Sequence, residues 1–296
     1  MAEALLANGH RVLIVDDLSS GRKENVPAGA EFHELDIRSP AAAGLVREAG
    51  VEVLFHHAAQ MDVRRSVEDP VHDAEVNVVG TLNLFEGGRR GALAQVIFAS
   101  TGGAMYGEQQ RFPADEDHPA RPLSPYGVAK LAVERYLYFY HREYGLDATA
   151  LRYANVYGPR QNPHGEAGVV AIFLDRLLSG REAVINGDGM QTRDYVAVED
   201  VAAANLAALG RPGFGIYNVG TGRETTVVEL YRLLAAALGV TRPAIHGPAK
   251  AGEQRRSAID SGRLARELGV RVSTGLEDGI ARTAAWFAAR TPAPRP

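Results

Sequence analysis

Two hydrophobic periods alternate along the first half of the chain. Short β-branched runs, bounded by Gly, Asp or Ser, are followed by longer stretches that are apolar at every third or fourth position. "RVLIVDD" lies between Gly9 and "LSSG" and reads as a strand. "AEFHELDI" alternates and ends at Asp36, and "VEVLFHHAA" and "AQVIFAST" are buried-strand runs. "SPAAAGLVREAG" predicts a helix with Ser39 as N-cap, Pro40 at its first position and Gly50 after its end. "DPVHDAEVNVVGTLNLFEGGRRG" predicts a second helix. "SPYGVAKLAVERYLYFYHREYG" predicts a long third one, from a proline to a terminal glycine, and "LDATALRYANVYG" returns to strand and turn. Strands alternating with helices predict a parallel sheet with crossovers, and ligands on such sheets bind beyond the carboxyl ends of the strands. Asp16, Asp36, Ala58, Thr101 and Asn155 fall there.

After Gly158 the texture changes. "PRQNPHGEAG" is loop, "VVAIFLDRLLSG" helix, and both "QTRDYVAVEDVAAANLAALG" and "GIYNVGTGRETTVVELYRLLAAALG" run from strand to helix. No internal repeat appears. The second lobe reads as woven from separate segments, and the tail "TPAPRP" as frayed.

Composition narrows the classes. The 296 residues, 46% hydrophobic and 23% charged, suit a folded α/β domain with a smaller lobe. A net charge of -4 gives no footprint for nucleic acid. The absence of cysteine excludes disulfides, thiolate catalysis and Cys-based metal sites. No run approaches the ~20 apolar residues of a membrane span, and the start lacks the basic and apolar regions of a signal peptide. A cytoplasmic protein is expected. His56 and His57 lack metal-ligand spacing to other donors, so no metal is expected. Of the 32 basic residues only Lys23, Lys130 and Lys250 are lysine; the other 29 are arginine.

That scarcity sharpens one pattern. Tyr126 and Lys130 stand four apart in "SPYGVAK" and share a helix face. An ammonium beside a phenol favours the phenolate, which can exchange a proton with a sugar hydroxyl. YxxxK also arises by chance on helices, but a purely structural cation in this chain would be arginine. Thr101 ends "VIFAST" and can hydrogen-bond the same reacting oxygen, or simply satisfy its own turn. "GG" at 102–103 suggests close approach of a ligand or the next element. Asp16 at its strand end suits ribose hydroxyls and disfavours a 2′-phosphate; alone, it reads better as a turn acid capping "LSSG", because acids at strand ends are common.

Taken in order, "LDI", "HHAAQ", "NVVGT", "FASTGGAMYGE", "SPYGVAK", "LRYANVYGPRQ", "GDGMQTRDYVAVEDVA", "YNVGTG" and "AGEQRRSAID" resemble the extended short-chain dehydrogenase/reductase family, of the UDP-glucose 4-epimerase type. The resemblance runs from Met1 to about Phe287. It implies a Rossmann-like, doubly wound parallel sheet binding NAD, over residues 1–158 with 187–218 returning to it. A smaller interwoven α/β lobe for the nucleotide sugar would span 159–186 and 219–287, with 288–296 a flexible tail. It implies Thr101, Tyr126 and Lys130 as the catalytic set. For NAD it implies Asp16, Asp17 (where the family often has Asn), Ser19, Asp36 and Ile37 at adenine, Ala58, Ala59 and Gln60 along the dinucleotide, Asn77 as a buttress, and Ala154. For the UDP-sugar it implies Thr101, Tyr153, Asn155, Val169, Arg193, Glu253 and Lys250, the last where the family usually has arginine. A homodimer through helices near 71–91 and 125–144 is also implied. The stripe Tyr136, Phe139, Tyr140 and Tyr144 then reads as core or dimer packing.

Three further expectations follow. The family opens with a strand and a GxxGxxG turn that holds the NAD pyrophosphate, whereas "MAEALLANGH" resembles the helix after that turn. A slot in the sheet beside residues 11–16, and weak NAD binding by the chain as written, are therefore expected. The reaction implied is 4-epimerisation of a UDP-hexose through a 4-keto sugar. Its rivals are 4,6-dehydration, which the family accompanies with Asp-Glu after the Thr where Gly102-Gly103 stand here, and a non-catalytic nucleotide-sugar-binding remnant. Ser257, small and four residues past Glu253, is expected to leave room for an N-acetyl group at sugar C2.

Overall fold

The structure, a computed structural model, describes residues 1–163, 168–249 and 254–290. In chain order the first elements are α1 (Ala2–Ala7), β1 (Leu13–Asp16), β2 (Glu31–Glu34), α2 (Pro40–Glu48), β3 (Val53–His56), α3 (Val63–Glu68) and α4 (Pro70–Ala74). Next come α5 (Thr81–Arg89), β4 (Gln95–Thr101), α6 (Pro125–Tyr144) and β5 (Asp147–Tyr153). They are followed by β6 (Asn155–Tyr157), α7 (Val169–Leu178), β7 (Val184–Asn186), β8 (Thr192–Arg193), β9 (Tyr195–Ala197), α8 (Val198–Ala208) and β10 (Phe214–Val219). Last are β11 (Thr225–Thr226), α9 (Val227–Ala237), β12 (Ile245–Gly247), α10 (Gly262–Leu268) and α11 (Leu276–Ala288).

The helix signals act as their chemistry requires. The Ser39 side chain accepts from Ala42 N at the start of α2, and Ser124 from Gly127 N at the start of α6. Gly145 closes α6 in the left-handed region, at φ +70°. Between α4 and α5 the backbone widens into a π-turn over Glu75–Gly80, so "DPVHDAEVNVVGTLNLFEGGRRG" is one helix with a bulge near its middle. The strand expected to end at Asp36 stops at Glu34.

The chain forms two compact units. The first contains residues 1–105, 122–152 and 202–217; the second contains 106–121, 153–201 and 218–296. Segments 106–121, 153–158 and 187–201, expected in the first body, pack with the second. In the first unit a four-stranded sheet runs in the order β10-β5-β4-β3, with β3 and β4 parallel. Phe85, Phe98, Val133, Leu137 and Tyr140 fill the core under it. β1 and β2 form a separate parallel pair, Leu13 opposite Glu31. Among the described residues no ladder joins β1 to β3, and all four residues of β1 are only half-buried. The slot expected beside residues 11–16 is therefore present. The second unit holds the parallel pairs β6–β9 and β7–β12 and the antiparallel pair β8–β11. Its core is built by α7, α9 and α11. This is the Rossmann-like α/β fold that the resemblance implies. No helix of the described residues is long and apolar enough to cross a membrane.

Candidate active site

In the first unit the end of β4 and the start of α6 bring Thr101, Tyr126 and Lys130 together. The Thr101 hydroxyl oxygen accepts a hydrogen bond from Ala104 N at 3.1 Å, which leaves its own hydrogen for the Tyr126 oxygen that it also contacts. Gly127 permits this approach: a Cβ there would stand 2.7 Å from Ala104 O and 2.8 Å from Pro122 Cβ. Lys130 is 3% exposed. Its ammonium donates to Ala99 O at 2.9 Å and lies 4.7 Å from the Phe98 ring centroid and 5.7 Å from that of Tyr126.

The electrostatics correct one expectation. Lys130 does not lower the Tyr126 phenol here. Burial pushes Tyr126 up to about 12, the charge of Asp73 adds to this, and only the Thr101 hydrogen bond opposes it. Burial also brings Lys130 down to about 8, against the raising charges of Asp73 and Glu134. The ammonium is held over the ring by a backbone carbonyl.

Asp73, which the sequence did not single out, is 1% exposed, and burial holds its carboxyl above the usual range. Its Oδ1 accepts from Gln60 Nε2 at 2.9 Å and Asn77 Nδ2 at 3.0 Å. The Asn77 amide, in the π-turn, grips the Gln60 backbone both ways: Oδ1 accepts from Gln60 N and Nδ2 donates to Gln60 O, each at 2.9 Å. This fixes the loop after β3, which carries Ala58 and Ala59. Asn83 does the same for the loop after β2, donating to Ile37 O at 2.7 Å and Ser39 O at 2.8 Å. His56 stays neutral because burial pulls it down to about 3. The Thr81 hydroxyl donates to Asn77 O and is 2.7 Å from His56 Nε2, so this nitrogen carries the proton. Among the described residues no group of three or more His, Asp or Glu could hold a metal.

The remaining expected cofactor residues lie in turns. Asp16 Oδ1 accepts from Leu18 N at 2.7 Å, and the turn folds back so closely that a Cβ on Gly21 would be 2.8 Å from that oxygen. Asp17 and Ser19 bond to each other, with Ser19 Oγ 2.6 Å from Asp17 Oδ1. The Asp36 carboxylate is taken by the Arg38 guanidinium and backbone, which hold it below the usual range.

In the second unit Tyr153 and Asn155 flank Ala154, whose N–H donates to Val219 O, while Asn155 N donates to Asp194 O. Val169 opens α7 behind Gly168, which offers no side-chain cap. Arg193 in β8 donates from Nη1 to Thr192 O at 2.7 Å and Gln254 O at 2.8 Å. Ser257 is 3% exposed. Lys250 and Glu253 lie outside the described residues, as does the tail after Arg290.

A dinucleotide fits the donor set of the first unit. Among the described residues the buried Lys130 ammonium makes one hydrogen bond, leaving two N–H groups for a pair of ribose hydroxyls. Asp16 likewise keeps one carboxylate oxygen for a hydroxyl donor.

Comparison with known proteins adds the chemistry of the whole. Residues 1–220 match the NAD dependent epimerase/dehydratase family. The chain is 47% identical to the UDP-glucose 4-epimerase of Mycolicibacterium smegmatis, over 97% of this chain and 94% of that protein. It is similar to the crystal structure of the Thermotoga maritima UDP-glucose 4-epimerase with UDP-glucose, at TM-score 0.95 and 44% identity, covering 97% of this chain and 94% of that one. The Thermus thermophilus UDP-glucose 4-epimerase complex with NAD gives TM-score 0.91 and 44% identity, covering 96% of this chain and 93% of that one.

Proposed function

The chain belongs to the NAD dependent epimerase/dehydratase family, and we propose that within it this protein interconverts a UDP-hexose, of the UDP-glucose and UDP-galactose type, with its C4 epimer. The observation that carries this reading is the contact of Thr101 with Tyr126 above the buried Lys130. When bound, NAD would supply the two-electron oxidant for sugar C4 and, once reduced, the reductant, and its positive charge would favour the Tyr126 phenolate. As its phenolate, Tyr126 would accept the proton of the 4-hydroxyl as C4 becomes a ketone, and would return it after the keto sugar has turned its other face. Thr101 donates to the same oxygen and keeps it within reach of Tyr126. Lys130 holds the nicotinamide ribose with its two remaining N–H groups. Asp16 takes the adenosine ribose, and the braced loops at 36–39 and 58–60 line the dinucleotide. Arg193 and Lys250 hold the diphosphate, Tyr153, Asn155 and Val169 line the sugar diphosphate, and Glu253 takes the ribose of the nucleoside.

The dehydratase reading asks for an acid and base after Thr101. Gly102-Gly103 supply neither, which favours epimerisation. A cytoplasmic homodimer is part of the proposal. Val71 on α4, and Val128, Tyr138, Phe139 and Tyr144 on α6, are exposed apolar residues on the helices expected to pair. Of the aromatic stripe, only Tyr140 is buried in the core. The small, buried Ser257 supports acceptance of UDP-N-acetylhexoses beside the plain sugars; undetectable turnover of UDP-GlcNAc under conditions that turn over UDP-glucose rejects it. The main test is Tyr126→Phe. Its turnover of UDP-galactose should fall at least ~100-fold, the scale of one general acid/base group, with UDP affinity within twofold of wild type. Near wild-type turnover removes Tyr126 from the reaction.

A further inference from the structure

Three residues at one end of β4 are each tied to α6. Ala99 O accepts from Lys130 Nζ at 2.9 Å, the Ser100 hydroxyl donates to Glu134 Oε1 at 2.6 Å, and Thr101 contacts the Tyr126 oxygen. On the helix these partners are residues 126, 130 and 134, a single i, i+4, i+8 stripe. Glu134 has a further hold. Arg152 on β5 donates from Nε to Oε1 at 2.9 Å and from Nη2 to Oε2 at 2.6 Å. Glu134, Arg152 and Ser100 are all buried, at 1%, 3% and 4% exposure.

A buried ion pair is a poor source of stability, because desolvation offsets the attraction and an apolar pair of similar volume is often as stable. What such a pair gives is direction. The rest of the α6 seam consists of Val133, Leu137 and Tyr140 against Phe98, Ala148 and Ala150. Those contacts are non-directional and tolerate a small slide or rotation of the helix. A two-pronged Arg–carboxylate contact does not. We infer that Glu134, anchored by Ser100 and Arg152, is a positioning residue that sets the register of α6 on β4 and so brings Tyr126 onto Thr101. This rests on the catalytic roles proposed for Thr101 and Tyr126. Glu134 and Arg152 neutralise each other, so the effect is geometric. The charge facing Tyr126 remains that of Asp73.

Two variants test it. Ser100→Ala removes the rung to the strand while Glu134 keeps both bonds from Arg152. The pair Glu134→Leu with Arg152→Met exchanges the ion pair for apolar groups. Each should melt within a few degrees of wild type and bind UDP and NAD within twofold. Turnover should fall about 10-fold in the first and about 100-fold in the second, with KM unchanged, because a displacement near 1 Å costs on that order. Hydrogen exchange at Gly127–Lys130 should rise in both, while exchange at the far end of α6 stays the same. Wild-type turnover alone, or a KM increase with kcat retained, in Ser100→Ala overturns the inference. If the double variant does not fold, Ser100→Ala decides. If the wild-type protein turns over no UDP-hexose, the proposed function has failed instead. Hydrogen exchange then decides the register alone, and an unchanged rate at 127–130 overturns it.

Discussion

Lys130 is where stability and function pull apart most clearly. Its ammonium is buried and its proton affinity falls to about 8, from an ordinary value of 10.5. The folded state thus releases this proton more readily than the unfolded chain does. Below pH 8 the full desolvation cost is present, on the order of 3 kcal/mol. It declines as pH rises from 8 and vanishes above 10.5. Lys130→Met should therefore melt higher than wild type at pH 7, with a gap that narrows above pH 8, and should lose nearly all turnover. A variant that melts lower at pH 7 contradicts this account of the site. Gly127 gives the opposite sign from helix propensity. Gly→Ala within a helix normally stabilises by about 1 kcal/mol. Here the added methyl meets Ala104 O at 2.7 Å, so the helix start or the turn after Thr101 must shift. Gly127→Ala should lower both the melting temperature and turnover, the latter at least about 10-fold. An unchanged kcat and a raised melting point would show that the contact has slack.

At the scale of elements, caps and periods made the fold legible. Ser39 and Ser124 cap as their positions require, and Gly145 ends α6. The π-turn was hidden because a bulge leaves the apolar period on either side intact. Thr101, Tyr126 and Lys130 were readable from spacing. The raised phenol affinity was not, since it comes from burial and from Asp73, which is distant in sequence. Glu134 carried a usable signal, being an acid one turn beyond Lys130 on the same face. Arg152 did not, because its partner is set by tertiary packing. The sheet itself gives a further prediction. β4 is flanked on both sides, and Val96, Ile97 and Phe98 are at most 1% exposed. β1 and β3 each have one open edge among the described residues, and alternate amides of a parallel strand face each edge. Alternate residues of 13–16 and 53–56 should exchange hydrogen rapidly while 95–101 stay protected. Uniform protection across β1, β3 and β4 contradicts the open slot.

For the whole molecule, the central claim is that one proton shuttle and one bound NAD carry a reversible oxidation at sugar C4. Epimerisation by that route would return to C4 the hydrogen it removed, so no solvent hydrogen would enter the sugar. Dehydration would remove the 6-hydroxyl and take up solvent hydrogen, and simple binding would change nothing. Proton NMR of UDP-galactose incubated with the protein and NAD in D2O tests all three at once. The account predicts UDP-glucose with protium retained at C4. A 4-keto-6-deoxy product, deuterium at C4, or unchanged UDP-galactose would contradict it.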